Sequence, residues 1–312
     1  NVEKLAHAVS LKQPVFLVGN TGVGKTSLVR YLANKTKNNL RRFNLNGQTD
    51  KSELIGGFRP VPHPGNGRLA YEWEDGILVE ALKNGYWLLL DEMNLAEYEI
   101  LERLNSLLDD DMSLTLREHQ GEKLISADQF DEKTLAHLSG SGISNISKED
   151  ILLFYEGRLQ NSQKEASIRQ AVKHLNSMNL FRIHHHFRLF ATGNPLDYAG
   201  RNVLSPAFLD RWKTKIIDEP TGGELVQILW NRYTIQDSWL KMKILPLQSF
   251  HSRLVSAARK GTVKADETHS MEFTIRHLMR VLERYQKDIR GQGEVLEREK
   301  EKILARGIDE VY

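Results

Sequence analysis

The stretch Val15-Phe16-Leu17-Val18-Gly19-Asn20-Thr21-Gly22-Val23-Gly24-Lys25-Thr26 decides the fold of this chain. Its four leading apolar residues predict a short buried parallel strand, and the run from Ser27 to Leu32 predicts a helix after the glycine-rich loop. A strand, a glycine-rich loop and a helix in this order form the context of a phosphate-binding loop, or P-loop. The sequence therefore predicts an α/β protein built on a doubly wound parallel sheet.

The loop supplies the groups that bind a nucleotide phosphate. Its glycines let backbone N–H groups surround an anionic oxygen, Lys25 would reach the β- and γ-phosphates, and the Thr26 hydroxyl would ligate Mg²⁺. The alternative is a glycine-rich turn that binds no nucleotide. The predicted nucleotide contacts are Gly19, Asn20, Thr21, Gly22, Val23, Gly24, Lys25, Thr26 and Ser27.

Two acidic residues follow the most apolar predicted strand, Tyr86 to Leu90. Ligands of parallel α/β sheets bind beyond the carboxyl ends of the strands. Asp91 would hold Mg²⁺ directly or through water, and Glu92 would orient and deprotonate the attacking water. The alternative is a solvated acidic pair that caps the next helix.

Asn194 follows a further predicted buried strand, Phe187 to Ala191. Its neutral amide would hold the attacking water without adding charge. The alternative is an ordinary turn, because Asn before Pro195 favours turn initiation.

Composition restricts the remaining possibilities. The chain has 312 residues, a formal net charge of +2 and no cysteine. The charge gives no argument for a nucleic-acid or membrane surface, and the lack of cysteine excludes disulfides, thiol catalysis and Cys-ligated zinc. No apolar run approaches the ~20 residues that span a bilayer, and no signal-like start is present. We expect a cytoplasmic or nuclear protein without a membrane partner.

Two changes along the chain predict its domains. Helical patterns dominate after Pro220, so we expect a nucleotide-binding domain at residues 1–220 and a small helical lid at 221–312. A long polar excursion at about 121–182 interrupts the first domain. Because long structureless loops are uncommon in compact domains, we predict a helical insertion there and a partner contact on it, the alternative being a solvated loop.

The order of the motifs closely resembles that of the AAA+ ATPases of the dynein-related, MoxR and midasin group. After the P-loop come Leu88-Leu89-Leu90-Asp91-Glu92, then Phe190-Ala191-Thr192-Gly193-Asn194-Pro195, then Leu204-Ser205-Pro206-Ala207-Phe208-Leu209-Asp210-Arg211. The resemblance covers residues 1–120 and about 183–285. It implies ATP and Mg²⁺ as cofactors, a nucleotide between the large domain and the lid, and a ring of like modules. That ring would be a homo-hexamer or tandem modules of one chain.

The resemblance also implies two arginine roles. Arg211 would be an arginine finger inserted into the site of a neighbouring module, and Arg276, in Thr274-Ile275-Arg276, would contact the γ-phosphate from the lid. The alternatives are a surface ion pair of Arg211 with Asp210 or Glu219, and a solvated helix arginine for Arg276.

Two hairpins are implied in the same way. Val61 to Trp73 matches the position of a hairpin that often faces the pore of such rings, with Arg59, His63 and Arg68 as exposed tips, unless it is a plain solvent loop. Residues 114–118 and 187–190 resemble the two flanks of a second hairpin ahead of the Asn194 strand.

Three functions remain open on the sequence. The first is an ATPase ring that remodels or extracts a protein partner. The second is a nucleic-acid motor similar to GTP-using restriction ATPases. The third is an inactive structural module, which the joint presence of Lys25, Asp91, Glu92, Asn194 and Arg211 disfavours.

Overall fold

A computed structural model describes residues 2–62, 69–126, 146–195, 202–233, 237–262, 273–289 and 297–311 of the chain. The chain divides into two compact units. The first comprises Asn1–Val18 and Lys25–Ile216, and the second comprises Gly19–Gly24 and Ile217–Tyr312. The assignment of a nucleotide-binding domain and a lid to residues 1–220 and 221–312 stays a prediction.

A five-stranded parallel sheet forms the centre of the first unit. The predicted α/β fold with a parallel P-loop sheet is confirmed. Its strands are β1 (Val15–Val18), β2 (Leu40–Asn44), β5 (Trp87–Asp91), β9 (Arg188–Gly193) and β10 (Lys213–Ile216). Their order in the sheet is β10-β1-β9-β5-β2.

The sheet is central because its inner strands are apolar along their whole length. Every residue of β5 is buried, and so are five of the six residues of β9. Continuous apolar strands are typical of parallel sheets covered on both faces. The helices of the first unit outside the insertion are α1 (Val2–Ser10), α2 (Lys25–Lys35), α3 (Lys51–Leu54), α4 (Ile77–Asn84), α5 (Tyr98–Glu102), α6 (Asn105–Leu108) and α9 (Pro206–Leu209).

The apolar residues from Leu95 to Leu108 recur at helical spacing, which predicts one helix, but the structure breaks this run. A 3₁₀ turn at Met93–Leu95 ends at Ala96, which is extended, and α5 and α6 follow as separate short helices. Ile100, Leu101, Leu104, Leu107 and Leu108 are nevertheless all buried in one core. The helical spacing of the apolar residues therefore predicted the buried face of this segment correctly, although the segment is not one continuous helix.

Two smaller sheets accompany the central one. Strands β3 (Gly56–Pro62) and β4 (Leu69–Asp75) form an antiparallel hairpin. Strands β6 (Ser113–Leu116), β7 (Glu122–Ile125) and β8 (Leu180–Arg182) form a three-stranded sheet, antiparallel between β6 and β7 and parallel between β7 and β8.

The prediction that residues 114–118 and 187–190 flank one hairpin is wrong. The partner of β6 is β7, six residues further along the chain, whereas Arg188–Gly193 belongs to the central sheet. The turn between β6 and β7 has Gln120 and Gly121 at positive φ, which lets the chain reverse there. The insertion therefore starts after β7 and ends before β8.

The described part of the insertion is helical, as predicted. Helix α7 (Lys148–Tyr155) begins with a capping box between Ser147 and Asp150, and α8 (Ser162–Ser177) begins at Asn161, whose side chain accepts two backbone N–H bonds. Ile151, Ala171 and Leu175 form a small core between these helices. Residues 127–145 lie outside the described residues.

Helices make up the described part of the second unit, in agreement with the helical pattern after Pro220. Buried Leu240, Leu278, Val281 and Leu282 lie at its core. Its helices are α10 (Gly222–Tyr233), α11 (Ser238–Arg259), α12 (Ile275–Ile289) and α13 (Glu297–Val311). Across the described residues of both units, no helix is long and apolar enough to cross a bilayer.

Candidate nucleotide site

A hydrogen-bonded chain of three predicted residues lies at the carboxyl ends of β5 and β9. The Lys25 Nζ donates to Asn194 Oδ1 at 2.7 Å, and Asn194 Nδ2 donates to both Glu92 carboxylate oxygens at 3.0 and 3.1 Å. Lys25 and Asn194 are 7% and 5% exposed. Because ionic and amide bonds strengthen in a poorly solvated site, this chain holds the Glu92 carboxylate in one orientation.

The second predicted carboxylate, Asp91, is 5% exposed and is surrounded by donors. The Thr26 hydroxyl lies 3.3 and 3.4 Å from its two oxygens. Thr192 donates a short hydrogen bond to Oδ1, and Arg42 Nε donates to Oδ2 at 2.7 Å. A buried carboxylate needs such partners, since a buried charge without them is costly.

The strand register explains why these residues meet. β2 and β5 are parallel, with Arg42 opposite Leu89 and Asn44 opposite Asp91. Side chains alternate between the faces of a strand, so Leu89 and Asp91 lie on the same face of β5. Arg42, which is opposite Leu89, lies on that face of the sheet as well. On the other side β9 pairs with β5, which brings Thr192 to Asp91.

Glu92 adopts a left-handed backbone conformation, with φ 59° and ψ 43°. This region is uncommon for a residue with a β-carbon and is found most often where the surroundings require it. Its backbone N–H is bound by the Thr192 hydroxyl at 3.2 Å, and Asn94 Nδ2 donates to the Asn194 carbonyl at 2.8 Å. These two bonds fix the turns that follow β5 and β9.

The loop residues Gly19–Gly24 group with the second unit. Gly22 and Gly24 have φ values of 88° and 95°, which favour glycine. Val23 N–H lies 3.5 Å from the Asn20 carbonyl, and a β-carbon at Gly19 would lie 2.3 Å from the carbonyl oxygen of Ile217. The glycines predicted from the motif are therefore required by the backbone. Thr21 lies within this turn, and Ser27 lies exposed in the first turns of α2.

The side chain of Asn20 is bound within the second unit. Its Nδ2 donates to Glu219 at 3.0 Å, and Arg259 donates to both oxygens of Glu219 at 2.8 and 3.0 Å. The hydrogen bond from Asn20 and the Arg259 charge hold the pKa of the Glu219 carboxyl below its usual value, against the opposing effect of burial.

Arg276, exposed in the first turn of α12, lies beside the loop. A β-carbon at Gly22 would lie 3.6 Å from Arg276 Cγ and 3.6 Å from Thr274 Cβ. The predicted lid arginine and the predicted phosphate loop are thus neighbours in the second unit. Its contact with the γ-phosphate stays a prediction.

Arg211 lies away from this group, after α9. Its Nε donates to Asp109 at 2.6 Å, its Nη1 donates to the Ala207 carbonyl at 2.9 Å, and its side chain is 34% exposed. The sequence named Asp210 or Glu219 as an alternative ion-pair partner, and the partner is instead Asp109, because α6 ends beside α9 in the folded chain. The role of arginine finger stays a prediction.

The residues around Asp91 fit a magnesium ion. Carboxylate and hydroxyl oxygens are the ligands that Mg²⁺ prefers, and Thr26 and Asp91 offer both within hydrogen-bonding distance of each other. Arg42 supplies a cation at the same carboxylate, so the position already favours positive charge.

The hairpin of β3 and β4 lies apart from this site. Arg59 forms an ion pair with Glu74 across it, and Trp73 stacks on His119 at 4.5 Å between ring centroids. The other two predicted tip residues, His63 and Arg68, lie outside the described residues. Contact of this hairpin with a substrate stays a prediction.

Comparison with known families agrees with this geometry. The profile of the AAA domain (dynein-related subfamily) matches residues 14–212. The chain belongs to this subfamily. It is 31% identical to midasin from Dictyostelium discoideum over 327 residues, covering 100% of this chain, and 28% identical to midasin from Giardia intestinalis over 284 residues, covering 90%. It spans only 4% of the length of each of these relatives.

This AAA domain is an ATPase of the dynein-related and midasin type, as the motif order predicted. The match ends at residue 212 and so contains the P-loop, Asp91, Glu92, Asn194 and Arg211. Nucleotide binding follows from membership of the subfamily.

Sequence reasoning missed three residues that shape the site: Arg42, Thr192 and Asn94. Thr192 and Asn94 stand next to predicted residues in Ala191-Thr192-Gly193-Asn194 and in Asp91-Glu92-Met93-Asn94, so polar residues flanking the strand ends were an available signal. Arg42 carried no local signal, because its role depends on β2 lying next to β5.

Proposed function

We propose that this chain is a magnesium-dependent ATPase module that works in a ring of like modules and couples ATP turnover to remodelling or extraction of a protein partner. The hydrogen-bonded chain from Lys25 through Asn194 to Glu92 carries the hydrolytic part of this proposal. It joins a buried cation, a neutral amide and a carboxylate by successive hydrogen bonds, and Thr26 and Asp91 contact each other at the same strand ends.

Each residue has a distinct task in hydrolysis. ATP bound with magnesium would supply the phosphoryl group that water attacks. Lys25 would neutralise phosphate charge, and Thr26 and Asp91 would hold the magnesium ion. Glu92 accepts the proton of the attacking water, and Asn194 keeps the Glu92 carboxylate aimed at that water.

The surroundings of Arg211 support a site shared between modules. Arg211 borders a cleft with a volume of about 540 Å³. Tyr98 and Val203, which also line the cleft, are 64% and 80% exposed. Exposed apolar groups around a cation are typical of a contact surface. In the ring we propose, Arg211 completes the site of the neighbouring module.

Two ring arrangements are compatible with this proposal. The modules are either six copies of one chain or tandem modules of a longer polypeptide. We place the module in the cytoplasm, or in the nucleus if it belongs to a eukaryotic midasin-like protein. Light scattering with and without ATP measures the mass of the particle. That mass distinguishes separate chains that assemble into a ring from a chain that stays a single module.

The enzymatic test is phosphate release by the wild-type chain with ATP and with GTP, with and without DNA. We expect ATP turnover that DNA does not stimulate. A rate that rises with DNA would favour a nucleic-acid motor instead, and zero turnover by an assembled ring would favour an inactive module. Remodelling is tested by ATP-dependent release of a captured protein partner, with the Glu92→Gln variant as the control.

A further inference from the structure

The ion pair between Arg42 and Asp91 is not explained by the hydrolytic roles assigned above. Asp91 has a side chain that is 7% exposed, whereas the side chain of Arg42 is 49% exposed. Arg42 Nε donates to Oδ2 at 2.7 Å, and its Nη2 contacts the same oxygen. One oxygen of the proposed metal ligand is thus held by a cation of the protein itself.

The two oxygens of Asp91 are not equivalent. Oδ1 accepts a short hydrogen bond from Thr192, which is fully buried and bonded to the backbone of Glu92. Oδ2 is held by Arg42, and the Thr26 hydroxyl lies 3.4 Å from Oδ1 and 3.3 Å from Oδ2. A metal held by Thr26 and Asp91 therefore meets the buried Thr192 hydroxyl at Oδ1 and the half-exposed Arg42 guanidinium at Oδ2, and of these two groups the guanidinium has room to move into solvent.

We propose that Arg42 is a metal-competing counterion. Its guanidinium neutralises the buried Asp91 carboxylate in the metal-free protein and leaves Oδ2 when Mg²⁺ binds. Two cations at one carboxylate oxygen repel each other, and the half-exposed Arg42 is free to turn into solvent. This inference rests on the proposed metal site at Thr26 and Asp91.

The neighbouring residue provides a matched control. Arg41 lies next to Arg42 on β2, is 50% exposed and pairs with Glu80 at 3.2 Å. Arg41→Gln removes the same charge from the same strand without touching Asp91. Any general effect of net charge on metal binding is therefore common to both variants.

The test measures metal binding directly, by electron paramagnetic resonance of Mn²⁺ as a probe for Mg²⁺, with a non-hydrolysable ATP analogue bound to the full chain. We expect Arg42→Gln to lower the Mn²⁺ dissociation constant about tenfold and Arg41→Gln to leave it within about twofold of wild type. Without metal, Arg42→Gln should lower the melting temperature by roughly 2 °C or more, because Asp91 loses its counterion. Saturating Mn²⁺ should remove that difference.

Arg42→Lys serves as a second variant if Arg42→Gln does not fold, and we expect it to bind Mn²⁺ with an intermediate affinity. Equal or weaker Mn²⁺ binding by the Arg42 variants would overturn the inference. Thr26→Ala and Asp91→Asn separate this result from the proposed function. If neither substitution, made in an otherwise wild-type chain, weakens Mn²⁺ binding, the metal site itself is misplaced and both proposals fail.

Discussion

Asn194 donates from its side-chain amide to both carboxylate oxygens of Glu92, at 3.0 and 3.1 Å. The two residues are 102 positions apart in sequence and meet because β9 pairs with β5. The amide adds no charge, so it orients the carboxylate without competing for the proton that the carboxylate must accept.

Glu92→Gln should preserve ATP binding and lower hydrolysis by at least about 10²-fold, because an amide keeps the shape of the side chain but accepts no proton. Binding is measured with a fluorescent ATP analogue, and turnover by phosphate release. The matched control is Glu99→Gln, an exposed position of α5. Normal turnover in the Glu92 variant would remove Glu92 as the base.

Asn194→Ala should lower kcat by about 10²-fold with a smaller effect on KM, since Glu92 loses its orienting partner and Lys25 loses its acceptor. Steady-state kinetics separates the two constants. Asn84→Ala changes an exposed amide at the end of α4 and should leave both constants unchanged. A pure KM effect of Asn194→Ala would mean that Asn194 binds the ground state and the transition state equally and does not orient the base.

Arg211→Ala should reduce turnover by about 10³-fold if Arg211 stabilises phosphoryl charge in a neighbouring site. Mixing Arg211→Ala with Glu92→Gln should restore part of the activity, because some interfaces then combine an intact Glu92 with an intact Arg211. Phosphate release is measured across mixing ratios. Absence of rescue at every ratio contradicts a shared site.

The free energy of unfolding should fall as the pH is lowered from 6.5 to about 4. Burial lowers the pKa of His184 and of His185 to about 4, and the nearby charges of His186 and Arg182 act in the same direction. The unfolded chain takes up these protons near pH 6.5 and the folded chain only near pH 4, so acid favours unfolding across this interval. Below pH 4 these two groups cause no further loss.

His185→Asn should make urea unfolding less dependent on pH between 7 and 5, by no more than about 1 kcal/mol once solvent screening is included. Both ring nitrogens of His185 are buried without a hydrogen-bond partner among the described residues. His7→Asn, at an exposed position of α1, is the control and should retain the wild-type pH dependence. An unchanged slope in His185→Asn would show that this ring does not control acid sensitivity.

Much of the fold was predictable because its signals are local. The apolar strand before Gly19, the glycines of the loop and the uninterrupted apolar run of β5 each depend on a few adjacent residues. Helical period predicted the buried face of residues 95–108 but not the break at Ala96. The spacing of apolar residues indicates which side of a segment faces the core, but it does not indicate whether the helical backbone hydrogen bonds continue.

The pairing of β6 was not predictable in the same way. The resemblance favoured a hairpin with residues 187–190, and the chain instead turns at Gln120 and Gly121 to form β7. β8 then adds to β7 across the insertion. Strand pairing depends on which apolar faces meet in the folded chain, and the local pattern of β6 does not specify its partner.

The sequence by itself determined the chemical inventory of the site: the loop glycines, Lys25, Thr26 and the polar residues at the ends of two buried strands. The tertiary structure alone decided which of these groups touch. Lys25 and Asn194 are 169 positions apart, and the pairing of Arg42 with Asp91 exists only because β2 is the neighbour of β5. The physical reason is that residue type and local period are properties of short segments, whereas strand order sets the distances between segments.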